Sequence, residues 1–142
     1  MKTTILTIAI SFILGLVSFN ASAQTTYRGY SDRYGNTTVT GSNGYRSNSY
    51  TDNYGNTTTR TSNGVTYRFY TDSYGNTTTT GSNGYRSTSY TDSYGNTTTR
   101  TNTGVTYRSY TDSYGNTTTT GSNGYRSTSY TDSYGNTTIR TW

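Results

Sequence analysis

The sequence predicts an all-β repeat protein, built from tandem 20-residue strand–turn–strand units. The units suit either a β-solenoid or an antiparallel meander, with cross-β packing available on assembly. Three observations predict this. The first is the period: Asp32, Asp52, Asp72, Asp92, Asp112 and Asp132 each sit in the run Tyr-x-Asp-x-Tyr-Gly-Asn-Thr-Thr. Six copies of one supersecondary unit indicate a repeat architecture. The second is the punctuation. Gly-Asn recurs at Gly55-Asn56, Gly75-Asn76, Gly95-Asn96 and Gly115-Asn116, and Asn-Gly at Asn43-Gly44, Asn63-Gly64, Asn83-Gly84 and Asn123-Gly124. Both dipeptides suit two-residue hairpin turns, which need positive φ. The third is what lies between them: Thr, Tyr, Ser, Val and Arg, which favour strands, with no 3.6-residue period.

The N-terminal element stands outside this pattern. Lys2 gives a positive start, Ile5 to Val17 is apolar, and Ala21-Ser22-Ala23 fits a small-x-small cleavage site. Residues 1–23 read as a signal peptide and residues 24–142 as the six-copy repeat region. The expected destination is extracellular or on the cell surface of a bacterium, with no membrane span after cleavage. The mature region holds ten Arg and six Asp but no Lys, Glu, His, Cys or Pro. No disulfide framework or soft-metal site can be built from it. No cofactor is expected.

Within a unit, the pattern predicts a short and a long strand, for example Thr57–Ser62 and Val65–Tyr74. Period-2 alternation puts Arg68, Tyr70, Asp72 and Tyr74 on one face, and Val65, Tyr67, Phe69, Thr71 and Ser73 on the other. The second face is the one to bury. Aliphatic residues are few, namely Val39, Val65, Val105 and Ile139, whereas all 18 Tyr lie in the repeats. So thin an apolar supply predicts a marginal monomer that gains by stacking on another copy.

A 40-residue period overlies the shorter one. Arg46, Arg86 and Arg126 alternate with Thr66 and Thr106, and Arg60, Arg100 and Arg140 alternate with Thr40, Thr80 and Thr120. Like charges stacked at ~4.8 Å would be unfavourable. The alternation therefore favours the solenoid stack, although duplication of a 40-residue gene segment would produce it too.

General acid–base and nucleophilic catalysis find no His, Cys, Lys or Glu in the repeats, so no enzyme is expected. The Asp residues read as turn acceptors rather than calcium ligands, since one carboxylate per repeat is thin. Asn-Thr-Thr sequons at each Gly-Asn turn arise easily in a Thr-rich loop. Thr57-x-Thr59 and its copies resemble the Thr-x-Thr faces of ice-binding proteins. Arg60 marks the opposite face as the outer one, which turns these columns inward. Tyr50, Tyr70, Tyr90, Tyr110 and Tyr130, with Asp52, Asp72, Asp92, Asp112 and Asp132, form the candidate ladder for assembly or binding. A regular aromatic row suits either self-stacking or adhesion to sugars.

Asp72-Ser73-Tyr74-Gly75-Asn76 resembles part of the YD repeat of large bacterial shell and toxin proteins. In layout and composition, the repeat region resembles curlin-type subunits: small secreted bacterial proteins with Gly-, Asn-, Ser- and Thr-rich strand–turn–strand units. That resemblance implies a cross-β extracellular fibre of a biofilm matrix. The expected function is a structural or adhesive repeat protein that forms or coats such a fibre. The alternative is a monomeric module that binds polysaccharide or ice through a Tyr or Thr ladder. The expected partners are other copies of the chain and an extracellular polysaccharide or surface, with no specific nucleic acid.

Overall fold

The computed structural model describes residues 24–142; the signal-peptide reading lies outside them. Twelve antiparallel strands follow one another around a closed barrel. They are β1 Thr25–Ser31, β2 Thr37–Gly41, β3 Arg46–Thr51, β4 Thr57–Thr61, β5 Thr66–Thr71, β6 Thr77–Gly81, β7 Arg86–Thr91, β8 Thr97–Thr101, β9 Thr106–Thr111, β10 Thr117–Gly121, β11 Arg126–Thr131 and β12 Thr137–Thr141. Closure is made by β1 and β12, paired from Thr25↔Thr141 to Gly29↔Thr137. Every strand thus has two hydrogen-bonded neighbours, and no edge is left open.

The solenoid expectation is overturned, and so is an open meander. Both punctuation marks reverse the chain, which rules out the solenoid, and the β1–β12 pairing closes the meander into a barrel. A copy and its successor 20 residues on therefore run parallel but two strands apart, never as neighbours. The arginine spacing has a different cause from stacking. Arg60 lies opposite Asn48 and Thr66, Arg68 opposite Thr58 and Thr80, and Arg100 opposite Thr88 and Thr106. Like charges are kept apart between antiparallel neighbours.

The turns are also not the two-residue kind. Gly55 N donates to Asp52 O at 3.1 Å and Asp52 N to Asn56 O at 2.9 Å, which makes a three-residue loop. This is a type I turn followed by a left-handed residue in a bulge. Gly55 alone takes that conformation, with φ +85°, and Asn56 does not. Gly64 does the same at the opposite end of the barrel. Because the turn starts at Asp72, β5 stops at Thr71. Asp72 and Tyr74 thus lie in the turn, beyond the face that Arg68 and Tyr70 share.

Odd-numbered strand residues point inward, as the face reading of Tyr67 and Phe69 anticipates, and they stack in three layers. At the Asn-Gly end, three edge-to-face tyrosine pairs close the barrel: Tyr27–Tyr45, Tyr67–Tyr85 and Tyr107–Tyr125, with centroids 5.6–5.9 Å apart. Gly41 lies opposite Tyr27, Gly81 opposite Tyr67 and Gly121 opposite Tyr107, which leaves room for each ring. In the middle, Val39, Phe69 and Ile139 are the apolar fillers among buried Ser and Thr. Ser49–Thr59 and Ser89–Thr99 satisfy each other there at 2.7 Å. At the Asp end, a ring of six hydroxyl pairs, from Ser31–Thr37 to Thr131–Thr137, spans 2.8–3.0 Å.

The scarcity of aliphatics is thus met by tyrosine faces and paired hydroxyls. A buried hydroxyl with a partner avoids the ~1–3 kcal/mol cost of an unsatisfied polar group. The tyrosine pairs repeat three times around the barrel, once per 40 residues, and the hydroxyl pairs six times, once per 20.

Candidate binding surface

The aspartates build one end of the barrel. In each of six turns the carboxylate accepts three hydrogen bonds. For Asp52, Oδ1 accepts from Tyr54 N and Asn56 N at 2.9 Å, and Oδ2 accepts from Asn56 Nδ2 at 3.0 Å. Asp72, Asp92, Asp112 and Asp132 make the same set. The Asn56 side chain, then its backbone N–H, holds the Asp52 carboxyl below the usual range, and the equivalent Asn does so in the other turns. Donors that stabilise the anion have this effect. The aspartates and the pairs Gly55-Asn56, Gly75-Asn76, Gly95-Asn96 and Gly115-Asn116 therefore form the turn scaffold, separate from the tyrosine row of the wall. No cluster of three or more His, Cys, Asp or Glu that could hold a metal occurs among the described residues.

That scaffold carries an aromatic crown. The type I turn sends the residue before its glycine outward. Tyr34, Tyr54, Tyr74, Tyr94, Tyr114 and Tyr134 stand there, 71–91% exposed. At Tyr34 the preceding Arg33 covers the ring, with Cζ 4.7 Å from its centroid. Just behind the crown lies a belt on the outer wall: Tyr50, Tyr70, Tyr90, Tyr110 and Tyr130, joined by Tyr30. These rings are 44–63% exposed. Tyr50 pairs with Thr58, one step from the last pair before the turn, Thr51↔Thr57. Twelve exposed tyrosines are thus gathered on one end of the barrel.

The sequence reading found the belt but not the crown, nor Tyr30. The signal was present in Asp-x-Tyr-Gly, which places Tyr at the third position of a type I turn and Gly at the left-handed fourth. Taking Gly-Asn as the turn centre hid it. The Thr-x-Thr columns do face the interior. Thr59, Thr79, Thr99 and Thr119 are buried, so no flat threonine ladder is offered to solvent.

No protein-family model, no curated protein and no solved structure matches the chain.

Proposed function

We propose that the chain is a secreted, non-catalytic adhesive module that coats an extracellular polysaccharide matrix through its tyrosine end. The observation that carries this reading is the concentration of twelve exposed tyrosines on six equivalent turn units. Exposed aromatic surface concentrated at one end of a protein marks an interaction site. Tyrosine offers a rigid flat face at low entropy cost together with a hydroxyl, which suits stacking on sugar rings. Six copies around one rim let weak contacts with a repetitive polymer add as avidity.

The coating role is favoured over the fibre subunit. Strand addition needs an open edge, and the barrel pairs both edges of every strand. A biofilm matrix remains the natural setting for a coat of this kind. No helix among the described residues is long and apolar enough to cross a membrane. The strands have five to seven residues, against ~9–11 for a membrane-spanning strand.

Affinity electrophoresis against a panel of soluble polysaccharides tests the proposal. Replacing Tyr94 alone by Ala should change retardation little. Replacing Tyr34, Tyr54, Tyr74, Tyr94, Tyr114 and Tyr134 together should weaken binding by about 10²-fold or more, with unchanged β circular dichroism. Equal retardation of the six-fold variant and wild type would sink the crown as the binding element.

A further inference from the structure

The outer wall separates charge along the barrel axis. All six aspartates sit in turns at one end, whereas Arg28, Arg46, Arg60, Arg68, Arg86, Arg100, Arg108, Arg126 and Arg140 lie on strands. Cross-strand register aligns six of these arginines, two to a row, in three equivalent rows. Tyr50, Thr58, Arg68, Thr80 and Arg86 lie side by side on successive strands. Tyr90, Thr98, Arg108, Thr120 and Arg126 repeat the row, and so do Tyr130, Thr138, Arg28, Thr40 and Arg46. In each row a threonine strand separates the two arginines, which places their Cα atoms about 10 Å apart. No row contains a carboxylate.

One row ends in a groove. Thr118, Arg126, Thr128 and Trp142 line it. Trp142 takes the place held by Ser42, Ser62, Ser82, Asn102 or Ser122 in the other units. Its backbone N–H donates to Arg126 O at 3.0 Å, and its side chain is half exposed beside the arginine's strand. An aromatic face, a guanidinium and two hydroxyls converge there.

We infer that the wall takes an anionic linear polysaccharide, a polyuronate, whose carboxylates are read by the paired arginines of the rows and whose sugar ring seats on Trp142 beside Arg126. This inference rests on the proposed glycan-binding role and names the class of glycan. Guanidinium groups suit planar carboxylates because they donate in a fixed fork. Arginines at regular intervals suit a polymer that carries an anionic group at regular intervals. Single-stranded nucleic acid also combines charge with rings, but it is recognised by bases stacking on aromatics along a basic groove. Here each row carries one tyrosine at its aspartate end and two arginines beyond it, so no run of aromatics follows the arginines along the row.

Trp142 is the only tryptophan of the chain, so its fluorescence reports this groove directly. The full repeat region is titrated with sodium polygalacturonate, dextran and a single-stranded oligonucleotide at two salt concentrations. Polygalacturonate should shift the emission and bind at least tenfold more tightly than dextran, with affinity falling as salt rises. Arg126→Gln should weaken that binding by roughly tenfold, as expected for loss of a charge-assisted hydrogen bond.

Equal, salt-independent binding of dextran and polygalacturonate would overturn the inference and leave the tyrosine reading standing. Tighter binding of the oligonucleotide would overturn it in favour of nucleic acid. Unchanged affinity in Arg126→Gln would remove the groove. Failure to bind any glycan, in this assay and in electrophoresis, would remove both readings.

Discussion

Gly41→Thr is expected to destabilise the barrel by about 1–3 kcal/mol, the usual cost of overpacking a fitted interior. A Cβ at Gly41 would meet the Tyr27 ring at 2.7 Å and Asn43 Oδ1 at 2.6 Å. The Asn43 amide can swing aside. Tyr27 is fully buried and edge-packed on Tyr45, so it cannot. The chain already contains the compensated solution: Thr61, Thr101 and Thr141 occupy the equivalent position opposite Ser47, Ser87 and Ser127. Gly therefore goes with Tyr and Thr with Ser. In a Tyr27→Ser background, Gly41→Thr should become neutral or favourable, a coupling of about 1–3 kcal/mol in a double-mutant cycle of denaturant unfolding. Additive effects would show that Tyr27 and Gly41 do not face each other.

Stability should fall at both ends of the pH scale, for separate reasons. On the alkaline side, burial pushes Tyr45 up to about 12 and raises Tyr67, Tyr85, Tyr107 and Tyr125 as well. The unfolded chain ionises its tyrosines near ~10. A raised folded value means the stabilisation is complete below about pH 10 and is lost as pH climbs from there toward the folded values. Tyrosinate absorbance and loss of β circular dichroism should rise together in that window. Replacing Tyr45, Tyr85 and Tyr125 by Phe should flatten the alkaline limb.

On the acid side, the six turn carboxylates have depressed values. Their contribution is present above ~3.9, the unfolded value, and is lost as pH falls through the folded ones. A melting temperature that stays flat from pH 5 to pH 2 would show that the Asp–Asn contacts do not form in solution.

Much of the fold was legible in local pattern. The period-2 alternation around Tyr67 and Phe69 identified the buried face, and Arg60 correctly turned Thr59 and its copies inward. Closure was not legible, because it depends on how twelve short strands tilt and stagger, and no single residue encodes that. The arginine alternation misled, since antiparallel neighbours and stacked copies demand the same spacing of like charges. On the candidate surface, Tyr50 and its copies were readable from their period. Tyr54 and its copies were lost with the turn type, because one residue of shift in the turn decides whether that ring ends a strand or crowns a loop. The aspartates looked like a ladder only while the repeats were thought to stack.

Closure of a single chain is the claim on which the rest depends. The measurement that tests it most directly is nuclear magnetic resonance of the full repeat region, in an equimolar mixture of isotope-labelled and unlabelled chains. Cross-strand contacts between β1 and β12, from Tyr27 to Ile139 and from Gly29 to Thr137, are predicted within one chain and independent of concentration. Contacts found only between different chains, or freely exchanging amides along β1 and β12, would contradict the barrel and return the chain to an open, self-stacking repeat.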